Sequence, residues 1–429
     1  MTHTGHGSVP MKVAMVSRRV HPAHGPGGLE RHVFELVSEL AARGVKIDLF
    51  SETPTDLDRL ARADKTLSSV VTPHWIPGGW LPFGGRKGTV VLDRITNYFM
   101  WSSRVARRIR RQQPVAGQVV HVHGLAGWGV AKAARRGRLG YPLVVTTQGL
   151  EEFRAHQRLK HWAYLPFRCG MKTVAAASDV VVTTDESLRS VVRLYLGIAD
   201  SDQVVIPNAV APDRCRGLGA TEQGWALLAR HGHERASPLF LSVGRVEANK
   251  GFDVMVAALA IVARTLPESW TWVLAGEGPE RSRVRALIRE AGLESHCLLM
   301  GRVDESDLHS LYRIADWFVH PTRYEGSSLV TLEAMAHGLP VVSSRTGGLP
   351  DKVVDGVSGF LVTPGDSEEL SARLGDALTV DAEEFGAAGR QRCESQFSWN
   401  VVAPKYLSLY QELGATRTLH LAGSGARRP

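Results

Sequence analysis

The chain has 429 residues, 44% of them hydrophobic and 22% charged, and 51 Lys and Arg against 43 Asp and Glu leave a net charge of +8. That length accommodates two domains of about 200 residues each, and the composition excludes a disordered or fibrous chain. No stretch approaches the roughly 18 consecutive apolar residues that a membrane-spanning helix needs.

In chain order, Lys12 to Ser17 reads as a buried strand, Leu29 to Ala42 as a helix and Val45 to Ser51 as the next strand. Leu29, Val33, Leu36, Val37 and Leu40 recur at helical spacing, and Arg43-Gly44 stops the run. Such a strand–helix–strand unit opens a doubly wound parallel sheet. Gly27 and Gly28 lie between strand and helix, where the missing side chains let backbone amides approach a ligand. Many tight turns share that pattern, and the spacing is not that of a dinucleotide site. The segment from Pro73 to Lys87 is too rich in Trp, Pro and Gly to be regular over its length. Its aromatics, beside Arg86 and Lys87, suit either packing over the domain's own core or contact with a bilayer surface or an acceptor. Trp101 to Arg111 is predicted helical, with Val105 and Ile109 inward and the arginines in solvent. Gln118 to Gly124 is a strand carrying His123 at its carboxyl end, where open α/β sheets bind ligands, although a lone histidine is often structural. Strands over Leu143–Thr147, Asp179–Asp185 and Gln203–Asn208 complete the first half.

A linker is expected over 211–237, with one short helix at Trp225 to Arg230. Beyond it, strands at Leu239–Arg245, Trp270–Gly276, Cys297–Gly301, Trp317–Pro321, Pro340–Ser344 and Gly359–Thr363 alternate with helices, which implies a second parallel sheet covered on both faces. Arg245 and Lys250 bracket a turn at a strand end, where two cations can pair with a diphosphate, or can simply be a basic turn. After the apolar run ending at Pro321, Ser327 or Ser328 caps a helix through Leu329, Leu332, Ala334 and Ala336, and Gly338 ends it. Glu325 then sits in the loop and Glu333 about one and a half turns into the helix. The free amides at the helix start favour a phosphate, and each carboxylate can accept from both hydroxyls of a diol. Spacing alone leaves equally open a solvated loop Glu325 and a helix-surface Glu333.

Glu325, seven residues and then Glu333-Ala334-Met335-Ala336 resemble the acidic motif of the retaining glycosyltransferases of family 4. The Gly-Arg-x-x-x-x-Lys-Gly pattern of 244–251 resembles that family's diphosphate clamp, residues 121–124 its His-x-His-Gly segment, and Gly27-Gly28 its Gly-Gly loop. The resemblance implies the α/β GT-B fold, two Rossmann-like doubly wound domains facing a cleft. It divides the chain into a flexible N-terminus 1–10, an acceptor domain 11–210, the linker 211–237, a nucleotide-sugar domain 238–397, a helix 398–413 crossing back, and a disordered tail 414–429. It further implies that Arg245 and Lys250 hold the diphosphate, joined by amides around Gly27, Gly28, Gly326, Ser327, Ser328 and Leu329. Glu333 takes the ribose, the Arg302–Val303 backbone the base, and Glu325 and His123 the sugar. Ser327 and Ser328 stand where the family has a bulky residue followed by Gly or Pro, and Gln148 where it commonly has His.

The implied activity is transfer of a hexosyl group from a UDP- or GDP-sugar to a glycan, glycolipid or small-molecule hydroxyl, with no cofactor and no metal. Asp56 and Asp58 form an Asp-x-Asp outside the expected site. The rivals are a non-catalytic nucleotide-sugar-binding subunit, a nicotinamide-dependent oxidoreductase with Glu52 as its ribose acid, and an enzyme glycosylating nucleic acid. No nucleic-acid motif accompanies the basic charge, so no nucleic-acid partner is expected; an anionic substrate or a peripheral anionic membrane contact is. The start at Met1 lacks a leader pattern, and Cys169, Cys215, Cys297 and Cys393 share no metal spacing. Both fit a cytoplasmic protein with reduced thiols.

Overall fold

The computed structural model describes residues 11–25, 27–78, 90–113, 115, 117–150, 153, 162–235 and 237–424, with backbone alone over 90–96 and 416–424. Its contacts divide the chain into two units, Met1–Pro207 with Val402–Pro429, and Asn208–Val401.

The first unit is built on a seven-stranded parallel sheet. Its strands are β1 (Lys12–Val16), β2 (Lys46–Glu52), β3 (Thr72–Ile76), β4 (Val119–His123), β5 (Leu143–Thr147), β6 (Val180–Thr183) and β7 (Gln203–Val205). The order is β3-β2-β1-β4-β5-β6-β7, so the winding reverses between β1 and β4, and the ligand crevice of such a sheet opens at their carboxyl ends. All five residues of β4 are buried, as strands covered on both faces must be. Pro73 belongs to β3 and pairs with Leu49; an edge strand tolerates the missing amide hydrogen. The segment expected to be irregular therefore starts as sheet. Arg86 and Lys87 lie outside the described residues.

The helix Gly28–Ala42 buries His32, Val33, Leu36, Val37 and Leu40. It ends where Gly44 takes φ +85°, a conformation that costs a residue with a Cβ. The helix Val90–Arg110 is longer than its apolar spacing suggested, and Trp101, Val105 and Ile109 on it are fully buried. Trp101→Ala is expected to cost about 3–5 kcal/mol, readable as a lower denaturant midpoint. Asp56 caps the helix Leu57–Ser68, accepting from the amides of Asp58 and Arg59; this cap accounts for the Asp-x-Asp pattern. Glu52 is engaged by Arg18 at 2.9 Å.

The second unit has a six-stranded parallel sheet in the order β10-β9-β8-β11-β12-β13. Its strands are β8 (Leu239–Val243), β9 (Thr271–Ala275), β10 (Cys297–Gly301), β11 (Trp317–His320), β12 (Val341–Ser344) and β13 (Gly359–Val362). The reversal falls between β8 and β11. Residues 211–237 do not form a plain linker with one helix. They contain helices Pro212–Gly217 and Thr221–Ala229, and Cys215, Leu227 and Leu228 enter the second unit's core. Gly219 and Gly224 permit this docking, since a Cβ on either would collide with the Ser310 backbone. The terminal helix runs Trp399–Ser424, so the tail expected to be disordered is helical as far as Ser424. From Val402 that helix belongs to the first unit, where the Tyr410 hydroxyl lies 2.6 Å from His121 Nδ1.

Burial lowers His32 to about 4, and lowers His121 and His337 to about 3, the neighbouring histidines adding to the effect on the last two. A histidine depressed in the folded state binds fewer protons there than when unfolded. Stability is therefore expected to be full above about pH 6.5 and to fall toward pH 3. A melting temperature independent of pH between 7.5 and 5 would contradict this.

Candidate active site

Three loops at the reversal of the second sheet converge on one carboxylate. After β8, Gly251 takes φ +69° and packs against the Pro321 carbonyl, where any Cβ would collide. The Arg323 amide donates to the Asn249 carbonyl at 2.7 Å and the Thr322 hydroxyl to the same oxygen at 2.9 Å. The Arg323 guanidinium grips Asp253 at 2.7 and 2.9 Å. After β12, Gly347 (φ +55°) lies against the Glu325 carbonyl, and the Gly348 amide donates to Gly326 O at 3.0 Å.

This lacing brings Lys250 Nζ to 2.6 Å from Glu325 Oε2 and His320 Nε2 to 2.8 Å from the same oxygen. The Glu325 side chain is only 14% exposed, which rules out a solvated loop residue. Burial alone would raise its carboxyl, but the Lys250 ammonium and the His320 hydrogen bond outweigh that and hold it well below the usual carboxylate range. Burial lowers His320, with the bond to Glu325 opposing, so His320 is neutral at pH 7 and donates its Nε2 hydrogen to the carboxylate. Sequence reasoning passed over His320; its place at the end of β11, five residues before Glu325, was the available signal.

Ser328 is the N-cap of the helix Leu329–Ala336 and accepts from the Thr331 amide. Asn208 Nδ2 donates to the Ser327 carbonyl at 3.2 Å. The helix closes at Gly338, φ +78°. Glu333 is 4% exposed and receives the Tyr312 hydroxyl at 3.2 Å, so it is a buried carboxylate rather than a surface charge. Arg245 is different: its side chain is 76% exposed and pairs with Glu247 at 2.7 Å. Arg302 is exposed and Val303 half-buried just beyond β10. Gly276 and Gly278 answer to packing, since a Cβ on them would strike the carbonyls of Gly244 and Val246.

In the first unit, the Glu30 carboxylate lies over Gly27 at the start of the helix Gly28–Ala42, where an anion gains from the free amides. His123 is 4% exposed, with Nε2 3.3 Å from Met15 Sδ. Burial, with His121 and His32 beside it, holds it neutral, well below the ordinary histidine value. It faces an open pocket of roughly 620 Å³ whose lining includes Arg18, Tyr98, Gln148, Tyr164 and Phe167. Among the described residues, His123 Nδ1 and Gln148 Nε2 are buried and have no hydrogen-bond partner, a state normally relieved by ligand or water.

Residues 26–214 match the family model described as Glycosyltransferase Family 4, and 225–392 that described as Glycosyl transferases group 1. A D-inositol 3-phosphate glycosyltransferase of Xylanimonas cellulosilytica is 31% identical, covering 94% of this chain and 96% of its own length. A glycogen synthase of Mycobacterium tuberculosis is 27% identical over 93% and 94%. Among solved structures, sucrose-phosphate synthase from Thermosynechococcus elongatus gives a TM-score of 0.74 at 23% identity, covering 95% of this chain and 100% of that one. HepE of Anabaena, in complex with UDP, gives 0.70 at 17% over 94% and 100%. The fold shared with these neighbours is GT-B, an α/β fold of two Rossmann-like units.

Proposed function

Because the chain belongs to the family-4 glycosyltransferases, we propose that it moves a hexosyl group from a UDP- or GDP-sugar to an acceptor hydroxyl with retention of configuration. One observation carries this reading: the Lys250–Glu325 pair, 2.6 Å apart, beside the capped start of a helix that buries Glu333. In the proposed complex Lys250 turns from Glu325 to the diphosphate and Arg245 folds in from solvent, so that both cations stabilise charge on the departing nucleotide. The amides of Gly326 to Leu329 take phosphate oxygens, Glu333 the ribose diol, and the Arg302–Val303 backbone the base. Glu325 orients the sugar. Within the first unit, the Gly27 and Gly28 amides and neutral His123 are further ligand-binding groups of this proposal. The glycosidic bond to the nucleotide breaks, the acceptor oxygen bonds to the anomeric carbon, and the acceptor proton passes to the leaving phosphate oxygen.

Two protein cations can serve where a divalent metal otherwise would, and Asp56 is occupied as a helix cap. Transfer is therefore expected to survive EDTA; loss with EDTA and recovery with Mg²⁺ would refute this part. Asp56→Ala should lower the melting temperature slightly and leave transfer unchanged.

Incubating the protein with UDP-, GDP- and ADP-sugars tests the whole reading. The expected result is thermal stabilisation and slow donor hydrolysis with one of them, and NMR of a transfer product showing the donor's anomeric configuration. No stabilisation and no release of nucleotide with any would overturn it, while binding without turnover would mark a non-catalytic subunit. The acceptor is proposed to be a glycan end, a glycolipid or a small metabolite, handled in the cytoplasm. Among the described residues no helix is long and apolar enough to cross a membrane. Trp162 and Leu165, 72% and 43% exposed, suit peripheral contact with an anionic bilayer, which would appear as co-sedimentation with anionic but not neutral vesicles.

A further inference from the structure

Ser327 and Lys352 are 25 residues apart in sequence, yet Lys352 Nζ donates to Ser327 Oγ at 3.1 Å and to the Gly348 carbonyl at 3.2 Å. Lys352 closes the four-residue helix Leu349–Lys352 that follows β12 and is completely buried, its ammonium 5.7 Å from the Phe397 ring centroid. Burying an ammonium is costly unless its hydrogens are used, so its approach to a half-buried loop serine needs a reason beyond packing.

The chemistry of the contact supplies one. A hydroxyl has one hydrogen to give and two lone pairs to receive. Lys352 carries only hydrogens to donate, so it occupies a lone pair of Ser327 and cannot accept the serine's own proton. That leaves the Ser327 hydroxyl hydrogen for another acceptor, on a loop whose carbonyl is already held by Asn208 and whose neighbour Gly326 is held by Gly348. A donor polarised by an adjacent cation suits an anionic oxygen. Ser327 follows Glu325, proposed for the sugar, and precedes the helix bearing Glu333, proposed for the ribose; the anion expected between them is the sugar-side phosphate.

We propose that the Ser327 hydroxyl binds the sugar-side phosphate of the donor and that Lys352 is its positioning residue, adding a fixed positive charge behind the loop. This rests on the nucleotide-sugar reading above and assigns a side-chain role to the first of the two serines in the loop before Leu329.

The test measures binding of UDP or GDP, whichever binds the wild-type protein, against the matching monophosphate by calorimetry. Lys352→Met, which keeps length and removes charge, is expected to weaken the diphosphate about tenfold and the monophosphate much less. A purely structural role would weaken both alike. Ser327→Ala should reproduce the loss, and the double variant should lose no more than Lys352→Met alone, because one residue acts through the other. Should Lys352→Met fail to fold, Ser327→Ala carries the test. Unchanged diphosphate binding in Ser327→Ala, or additive losses in the double variant, overturns the proposal. Lys250→Ala separates the two levels. If it weakens the diphosphate while the Ser327 and Lys352 variants do not, only this inference fails; if none of the three does, the nucleotide-sugar reading fails with it.

Discussion

Lys250→Ala is expected to lower turnover by on the order of 100-fold or more. Lys250 Nζ sits 2.6 Å from Glu325 and is held there because Gly251 lets its loop rest on the Pro321 carbonyl. In the proposed transition state that ammonium meets charge developing on the departing diphosphate, so its loss is felt more in kcat than in substrate binding. The substitution also leaves Glu325 with His320 alone. The Glu325 carboxyl is held well below its usual range partly by Lys250, so it must rise in the variant. The sign follows: a carboxylate depressed in the folded state contributes stability above its unfolded value, lost as pH falls through the folded one. Lys250→Ala therefore gives up part of that contribution, and the remainder is fully lost at a higher pH than in the wild type. Steady-state rates at neutral pH check the first half, and melting temperatures of the two proteins compared from pH 7 down to pH 3 check the second. Unchanged turnover would remove Lys250 from the chemistry.

Glu333→Ala is expected to act on binding instead. A charged carboxylate holding two ribose hydroxyls gains about 1.5–3 kcal/mol per hydrogen bond, and Glu333 is buried and already aligned by the Tyr312 hydroxyl. KM for the donor should rise by on the order of 100-fold with kcat little altered, because the ribose is bound equally before and during transfer. The decisive comparison uses the 2′-deoxy nucleotide. Wild-type protein should bind it far less well than the ribonucleotide, and Glu333→Ala should discriminate little. A variant that kept full discrimination would show that the diol is read elsewhere.

Both experiments concern residues whose types and spacing were visible beforehand, and the reason is local. A helix N-cap, a Gly that ends a helix and a carboxylate one and a half turns in are set by 3.6-residue periodicity and capping chemistry. The loop from Glu325, the Ser328 cap and the stop at Gly338 could thus be read along the chain. Alternating buried strands and amphipathic helices likewise determine two parallel α/β units, since a strand without polar alternation must be covered on both faces.

What the sequence by itself did not settle depends on groups far apart in it. Cap and breaker rules mark segment ends but not what a segment packs against, so 211–237 looked like a linker although Cys215, Leu227 and Leu228 join a core. The run past Leu413 looked like a tail although it continues as helix to Ser424. The Lys250–Glu325 bond and the Lys352–Ser327 bond arise only where segments after different strands meet, and the Tyr312–Glu333 bond joins the helices before and after β11. Their partners are chosen by the order in which strands lie in the sheet, with β8 beside β11 and β11 beside β12. Sequence determined which side chains could carry charge and hydrogen bonds at strand ends. Tertiary structure alone decided which of them touch, because sheet order, and not distance along the chain, brings one loop against the next.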